Sequence, residues 1–137
     1  MGLNPNTWGS QAWHFIHAVA LTYPNEPTEQ DKENYNKFFY SLPDVLPCPS
    51  CGINFLEKLD KNPPALESQE TLWKWTVDVH NQVNEKNGKP ILSYDEAFSE
   101  FVKNSKTESV SKAQNSELLE LFAASAISLL VIKILNK

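Results

Sequence analysis

Cys48 and Cys51 are the only cysteines of the chain and form one Cys-Pro-Ser-Cys motif. Two thiols at this spacing suit three kinds of chemistry. As a redox pair they need a stabilised thiolate, which the partial positive charge of a helix N-terminus supplies. Pro49 suits the first turn of such a helix, and two intervening residues let a disulfide close across it. As a metal site they would join His14 and His17, three residues apart, in a tetrahedral Cys2His2 set. Against this, the helical phase of Trp13, Ile16, His17 and Ala20 turns His14 about 100° off that face. The third reading is two inert, buried thiols. No βαβ pattern flanks the motif, which argues against a thioredoxin fold.

A second constellation lies downstream. Val77, His80, Asn81 and Asn84 fall on one face of a predicted helix. Buried imidazoles and amides need hydrogen-bond partners, so on a core-facing side this stripe asks for a ligand. On the solvent side of an amphipathic helix it asks for nothing. Trp8, Trp13, Trp73 and Trp75, taken singly, fit a core more often than the walls of a cofactor site.

These residues need elements to position them. Asn6 and Thr7 can cap a helix through Trp13, Ile16, His17 and Ala20, which Tyr23-Pro24 and Pro27 stop. Thr28 opens a second helix containing Tyr35, Phe38, Phe39 and Leu42, and Pro43 and Pro47 bracket the connection after it. A third helix runs from Pro49 to about Leu59, ahead of Asn62-Pro63-Pro64. A fourth spans about Ser68 to Asn87 and ends at Gly88-Lys89-Pro90. Ser93-Tyr94-Asp95-Glu96 has the capping-box pattern of a short fifth helix through Phe98, Phe101 and Val102. No alternating apolar–polar run appears, so the expected fold class is all-α.

Composition narrows the function. The 137 residues carry a net charge of −5, and with no Arg present the 12 positive charges are all Lys. An acidic, Arg-free chain argues against binding to duplex nucleic acid, which needs a basic surface. Two cysteines are too few for a disulfide-stapled mini-domain or a four-thiolate zinc ribbon. Met1 to Ser10 is polar and uncharged, with no signal-peptide pattern. Residues 1–103 read as the folded body and 104–116 as a polar linker, with Val110 and Ala113 its only apolar positions. Residues 117–137 contain an 18-residue stretch, Leu118 to Leu135, about 27 Å long as a helix. We read it as a C-terminal transmembrane anchor, the alternative being one more helix packed on the body. Its Glu120 and Lys133 lie near the ends, where Lys can snorkel.

Taken in order, Trp8-Gly9, Trp13-His14-Phe15-Ile16-His17, Tyr23-Pro24, Pro47-Cys48-Pro49-Ser50-Cys51, Trp75, His80-Asn81-Gln82-Val83-Asn84 and Gly88-Lys89-Pro90 resemble the motifs of the Erv/ALR family of FAD-linked sulfhydryl oxidases. The resemblance covers about residues 7–101. It implies a four-helix bundle around FAD with a short fifth helix, usually as a homodimer. Gly9, Trp13, His17 and Tyr23 would line FAD from the first helix. His80, Asn81, Val83, Asn84, Lys86 and Lys89 would do so from the fourth helix and its following loop. The implied reaction is disulfide formation in a protein dithiol. The substrate thiolate attacks the Cys48–Cys51 disulfide at Cys48, and Cys51, next to the flavin, passes the electron pair to FAD. Molecular oxygen is the final acceptor and yields hydrogen peroxide.

The sequence departs from the family pattern in three places. Ser10 stands where several members have Arg, so pyrophosphate contacts would fall to Lys86, Lys89 or backbone N–H groups. Asp60 and Val77 occupy the positions of a structural disulfide found in cellular members. A second, shuttling CxxC is missing, so the substrate is oxidised directly or through a separate relay dithiol protein. A short, single-CxxC form with a hydrophobic segment resembles the oxidases of large cytoplasmic DNA viruses. That implies a membrane-associated enzyme of the host cytoplasm or virion, while mitochondrial or secretory locations stay open. The zinc reading, a helical adaptor using the CxxC and the histidines, stands as the alternative function.

Overall fold

The computed structural model describes residues 2–107. After a 3-10 turn at Pro5–Thr7 come five helices: α1 Gly9–Leu21, α2 Glu29–Val45, α3 Pro49–Lys61, α4 Gln69–Lys86 and α5 Tyr94–Thr107. There is no strand among the described residues. Helix α1 packs along α4 and α2 along α3, while α5 lies against α4.

Local chemistry sets most helix starts. Thr28 Oγ1 accepts the Asp31 N–H (3.1 Å), and the Asp31 carboxylate accepts the Thr28 N–H (2.9 Å). Ser68 with Thr71 and Ser93 with Glu96 form the same reciprocal arrangement at α4 and α5. Helix α1 starts differently from the sequence expectation. Asn4 caps the 3-10 turn, and the Thr7 hydroxyl donates back to the Asn4 carbonyl (2.7 Å). Trp8 therefore becomes the N-cap of α1, and it offers no side-chain acceptor.

Pro43 also departs from expectation. It lies inside α2, which continues to Val45. Proline lacks an N–H and so removes one ladder bond, but it falls in the last turn, where the ladder resumes with Leu46 N–H to Leu42 O (3.0 Å). Its carbonyl then faces α3 at Gly52. A Cβ on Gly52 would lie 2.2 Å from the Pro43 oxygen, so only glycine permits this approach. The start of α3, with its cysteines, is thereby seated against the end of α2.

Two apolar clusters hold the bundle. Ile16, Ala20, Tyr23, Phe39, Phe55, Leu59, Leu72, Trp75 and Val79 join α1 through α4. Leu21, Trp73, Val77 and Phe98 join α1, α4 and α5. At the end of α4, Gly88 takes a positive φ of 65°, and the Lys89 N–H turns back to the Asn84 carbonyl (2.8 Å). Helix α5 extends through residues 104–107, the first four of the stretch read as linker. Residues 108–116 and the anchor segment 117–137 lie outside the described residues. Among the described residues no helix is long and apolar enough to cross a membrane.

Candidate redox centre

Cys48 is the N-cap of α3, with Pro49 in its first turn. The two cysteines are joined by a disulfide, with 5.2 Å between their Cα atoms. The Cys51 N–H donates to Cys48 Sγ (3.3 Å), and the Ser50 hydroxyl lies 3.4 Å from the same sulfur. Both contacts go to Cys48 Sγ at the N-cap, and Cys51 lies in the first turn of the same helix, where backbone dipoles favour negative charge. Cys48 is the more covered of the pair, at 8% exposure. The N-terminal stretch lies against it: the Leu3 N–H donates to the Pro47 carbonyl (2.7 Å), and Gly2 packs on Pro49.

One turn beyond Cys51, Phe55 meets the edge of Trp13 from α1, with ring centroids 6.2 Å apart. Trp13 stacks on His80 from α4 (4.3 Å, 10°). His80 Nδ1 lies 3.1 Å from His17 Nε2, and His17 Nδ1 lies 3.0 Å from Thr76 Oγ1. Three helices thus bring the disulfide, an indole and two imidazoles onto neighbouring faces. Lys86 donates to Asn54 Oδ1, and Asn54 Nδ2 donates to the Ser50 carbonyl (2.7 Å), so the end of α4 is tied to the start of α3.

Both imidazoles are held neutral. Burial, then the neighbouring His80 and His14, lowers the pKa of His17 to about 3. Burial, then the Lys89 ammonium, lowers that of His80 to about 4. A histidine with a depressed pKa binds its proton more weakly folded than unfolded. Stability is therefore complete above the ordinary value of 6.5 and falls as acidification passes below it. We expect a loss on the order of a few kcal/mol between pH 6.5 and 4. Urea unfolding across that range checks it; a flat profile contradicts the burial of these rings.

The other expected ligand residues divide. Gly9 begins α1, and a Cβ there would meet nothing within 4 Å, so the space before it is open. Val83 and Asn84 are half-buried on α4, and Lys86 and Lys89 are exposed. Asn81 has protein partners as well. Its Nδ2 donates to the Leu92 carbonyl (2.8 Å) and its Oδ1 accepts the Leu92 N–H (3.0 Å), bracing the loop that carries Lys89. Tyr23 is a core residue, 1% exposed, donating its hydroxyl to the Leu66 carbonyl (2.9 Å). Tyr23→Phe should cost about 1 kcal/mol of stability and leave ligand binding unchanged, as melting and ligand titration would show. Lost ligand affinity would show that the Tyr23 hydroxyl serves the cofactor directly.

The zinc set does not form. The two cysteines bind each other, both nitrogens of His17 face protein partners, and His14 stacks on Phe101 of α5 (4.6 Å, 18°). Among the described residues no group of three or more His, Cys, Asp or Glu is placed to hold a metal. Two residues of the centre escaped the sequence reading, Gly52 and Thr76. Thr76 lies four residues before His80 and extends the polar stripe by one helical turn. Gly52, directly after the motif, is a helix interior glycine, an unfavourable choice without a reason in packing.

The model of the Erv1 / Alr family matches residues 10–106. The chain belongs to the Erv1/Alr family. A "Probable FAD-linked sulfhydryl oxidase" of Acanthamoeba polyphaga mimivirus is 50% identical over 99 residues, which are 70% of this chain and 69% of that protein. The mitochondrial FAD-linked sulfhydryl oxidase ERV1 of Saccharomyces cerevisiae is 37% identical over 82 residues, 60% of this chain. This chain spans only 43% of that Erv1/Alr relative. The crystal structure of the yeast Erv1 core matches with a TM-score of 0.66 at 32% identity, covering 69% of this chain and 80% of that one. The all-helical architecture is therefore that of the Erv1/Alr core.

Proposed function

We propose that the chain is an FAD-dependent sulfhydryl oxidase that forms disulfides in protein dithiols. The observation that carries this is the Cys48–Cys51 disulfide one turn before Phe55, whose ring meets Trp13 of the Trp13–His80 stack. The relatives named as FAD-linked sulfhydryl oxidases support the same reading.

The residues fit the cofactor on their own terms. Trp8 Nε1 is a buried donor with no acceptor among the described residues. The first turn of α1 has no acidic residue and no side-chain cap, and Gly9 opens onto free space. Neutral imidazoles, a flat indole and the cationic Lys86 and Lys89 complete a set suited to a planar, anionic dinucleotide. Gly9, Trp13, His17, His80, Val83, Asn84, Lys86 and Lys89 would hold it, with Asn81 bracing the loop. When bound, the flavin accepts an electron pair from the dithiol and passes it to oxygen, giving hydrogen peroxide.

Cys48 and Cys51 do the exchange. A substrate thiolate attacks Cys48, the S–S bond breaks, and Cys51 leaves as a thiolate stabilised by the first turn of α3. The second substrate thiolate displaces Cys48, so the substrate is oxidised by two electrons and the CxxC is reduced by two. Cys51, beside Phe55 on α3, is the member that hands those electrons on. The purified protein should consume oxygen when given a reduced protein dithiol or dithiothreitol. Folded protein that consumes none would overturn the reading.

Three finer parts belong to the same proposal. The run from Leu118 to Leu135 supports a membrane anchor, and the mimivirus relative supports a viral setting in host cytoplasm or virion. Phe15, 58% exposed on α1 and edge-on to Phe38, supports homodimer formation through that surface.

A further inference from the structure

The buried Thr76 hydroxyl fixes the direction of every proton in the imidazole pair. Thr76 is 0% exposed, and its Oγ1 lies 2.7 Å from the Trp73 carbonyl oxygen. Two oxygens at that distance need a proton between them, and a carbonyl has none to give. The Thr76 hydroxyl proton is therefore spent on Trp73. His17 Nδ1, 3.0 Å away, faces only the lone pairs of Oγ1 and must carry the proton of that bond. A neutral His17 then presents a bare Nε2. His80 Nδ1, 3.1 Å from it, must be the donor, which leaves His80 Nε2 as the bare acceptor.

We propose that Thr76 is a positioning residue that sets both histidines as Nδ1–H tautomers and so presents His80 Nε2 to the cofactor as a hydrogen-bond acceptor. The first half stands on the geometry alone. The second rests on the flavin reading above, and it states which groups the site takes: His80 Nε2 pairs with an N–H or O–H of the ligand, such as a hydroxyl, imide or amine. It rejects a carbonyl or phosphate oxygen at that point. Trp13 stacked on one face of His80 holds the plane of the ring, and the contact to His17 Nε2 selects which edge of it faces α1.

The test is long-range proton–nitrogen NMR on the ring nitrogens of His14, His17 and His80 in the full chain at neutral pH. Wild-type protein should show Nδ1–H for both His17 and His80. Thr76→Val keeps the shape and removes the acceptor, so His17 should turn to Nε2–H and His80 should follow. Flavin retention should then fall about tenfold, the size of one hydrogen bond lost or mismatched. Thr76→Ser keeps the hydroxyl and should restore both tautomers and retention, a rescue that a purely steric role would not give.

An Nε2–H signal on either histidine in the wild type overturns the proposal without any variant. So does a tautomer pattern in Thr76→Val identical to the wild type. Correct tautomers in a folded protein that binds no flavin would sink the flavin reading and the ligand half of the proposal. The proton arrangement would survive that result.

Discussion

Cys51→Ser is expected to abolish dithiol-dependent oxygen consumption, by roughly a thousandfold or more, because no second sulfur remains to carry the electron pair. Cys48→Ser should be equally inactive with protein dithiols, since the attacked sulfur is gone. The Cys48 variant should also stay folded. Cys48 is the N-cap of α3 and its sulfur accepts the Cys51 N–H, a role that a serine hydroxyl fills well. Cys51 keeps its place one turn before Phe55, so the Cys48→Ser protein should retain bound flavin. Oxygen-electrode traces and absorbance spectra of both variants check this. Undiminished turnover in either would remove the CxxC from the reaction.

The second large effect comes from two glycines with opposite surroundings. Gly52→Ala would drive a methyl group to 2.2 Å from the backbone oxygen of Pro43, where no side-chain rearrangement can relieve it. The ends of α2 and α3 must separate, at a cost of about 2–4 kcal/mol and a drop in Tm of roughly 10 °C or more. Because the displaced turn carries Cys51, activity should fall together with stability. Gly9→Ala meets no protein atom within 4 Å, so Tm should hold or rise slightly. Its cost should appear in flavin affinity alone, since the space before Gly9 is where we place the cofactor. A Gly9→Ala protein that binds flavin normally would move the cofactor away from α1.

What could be read from the sequence was what neighbouring residues decide. Thr28, Ser68 and Ser93 announce helix starts because their partners stand three residues on, and each of the three caps forms. The His80 stripe reads as one helix face because its period is helical, but whether that face meets core or solvent is decided only when α1 packs on it and His80 meets His17. Pro43 misleads because a proline's local preference is to end a helix, while its seating against Gly52 is settled by packing between α2 and α3. Asn81 holds a second role that neighbours in sequence do not announce, since its bonds to Leu92 exist only once the loop folds back. Thr76 was in plain view but has meaning only once α1 delivers His17 beside it.

The claim at the centre of this account is that electrons pass from a dithiol through Cys48–Cys51 to a flavin held by α1 and α4. It is tested most directly by titrating the purified protein with dithiothreitol under anaerobic conditions while following the flavin band near ~450 nm. The account predicts a yellow protein whose band bleaches with stoichiometric dithiol, returns on admitting air with release of hydrogen peroxide, and does neither in Cys51→Ser. Colourless folded protein, or a flavin band indifferent to dithiol, would contradict it.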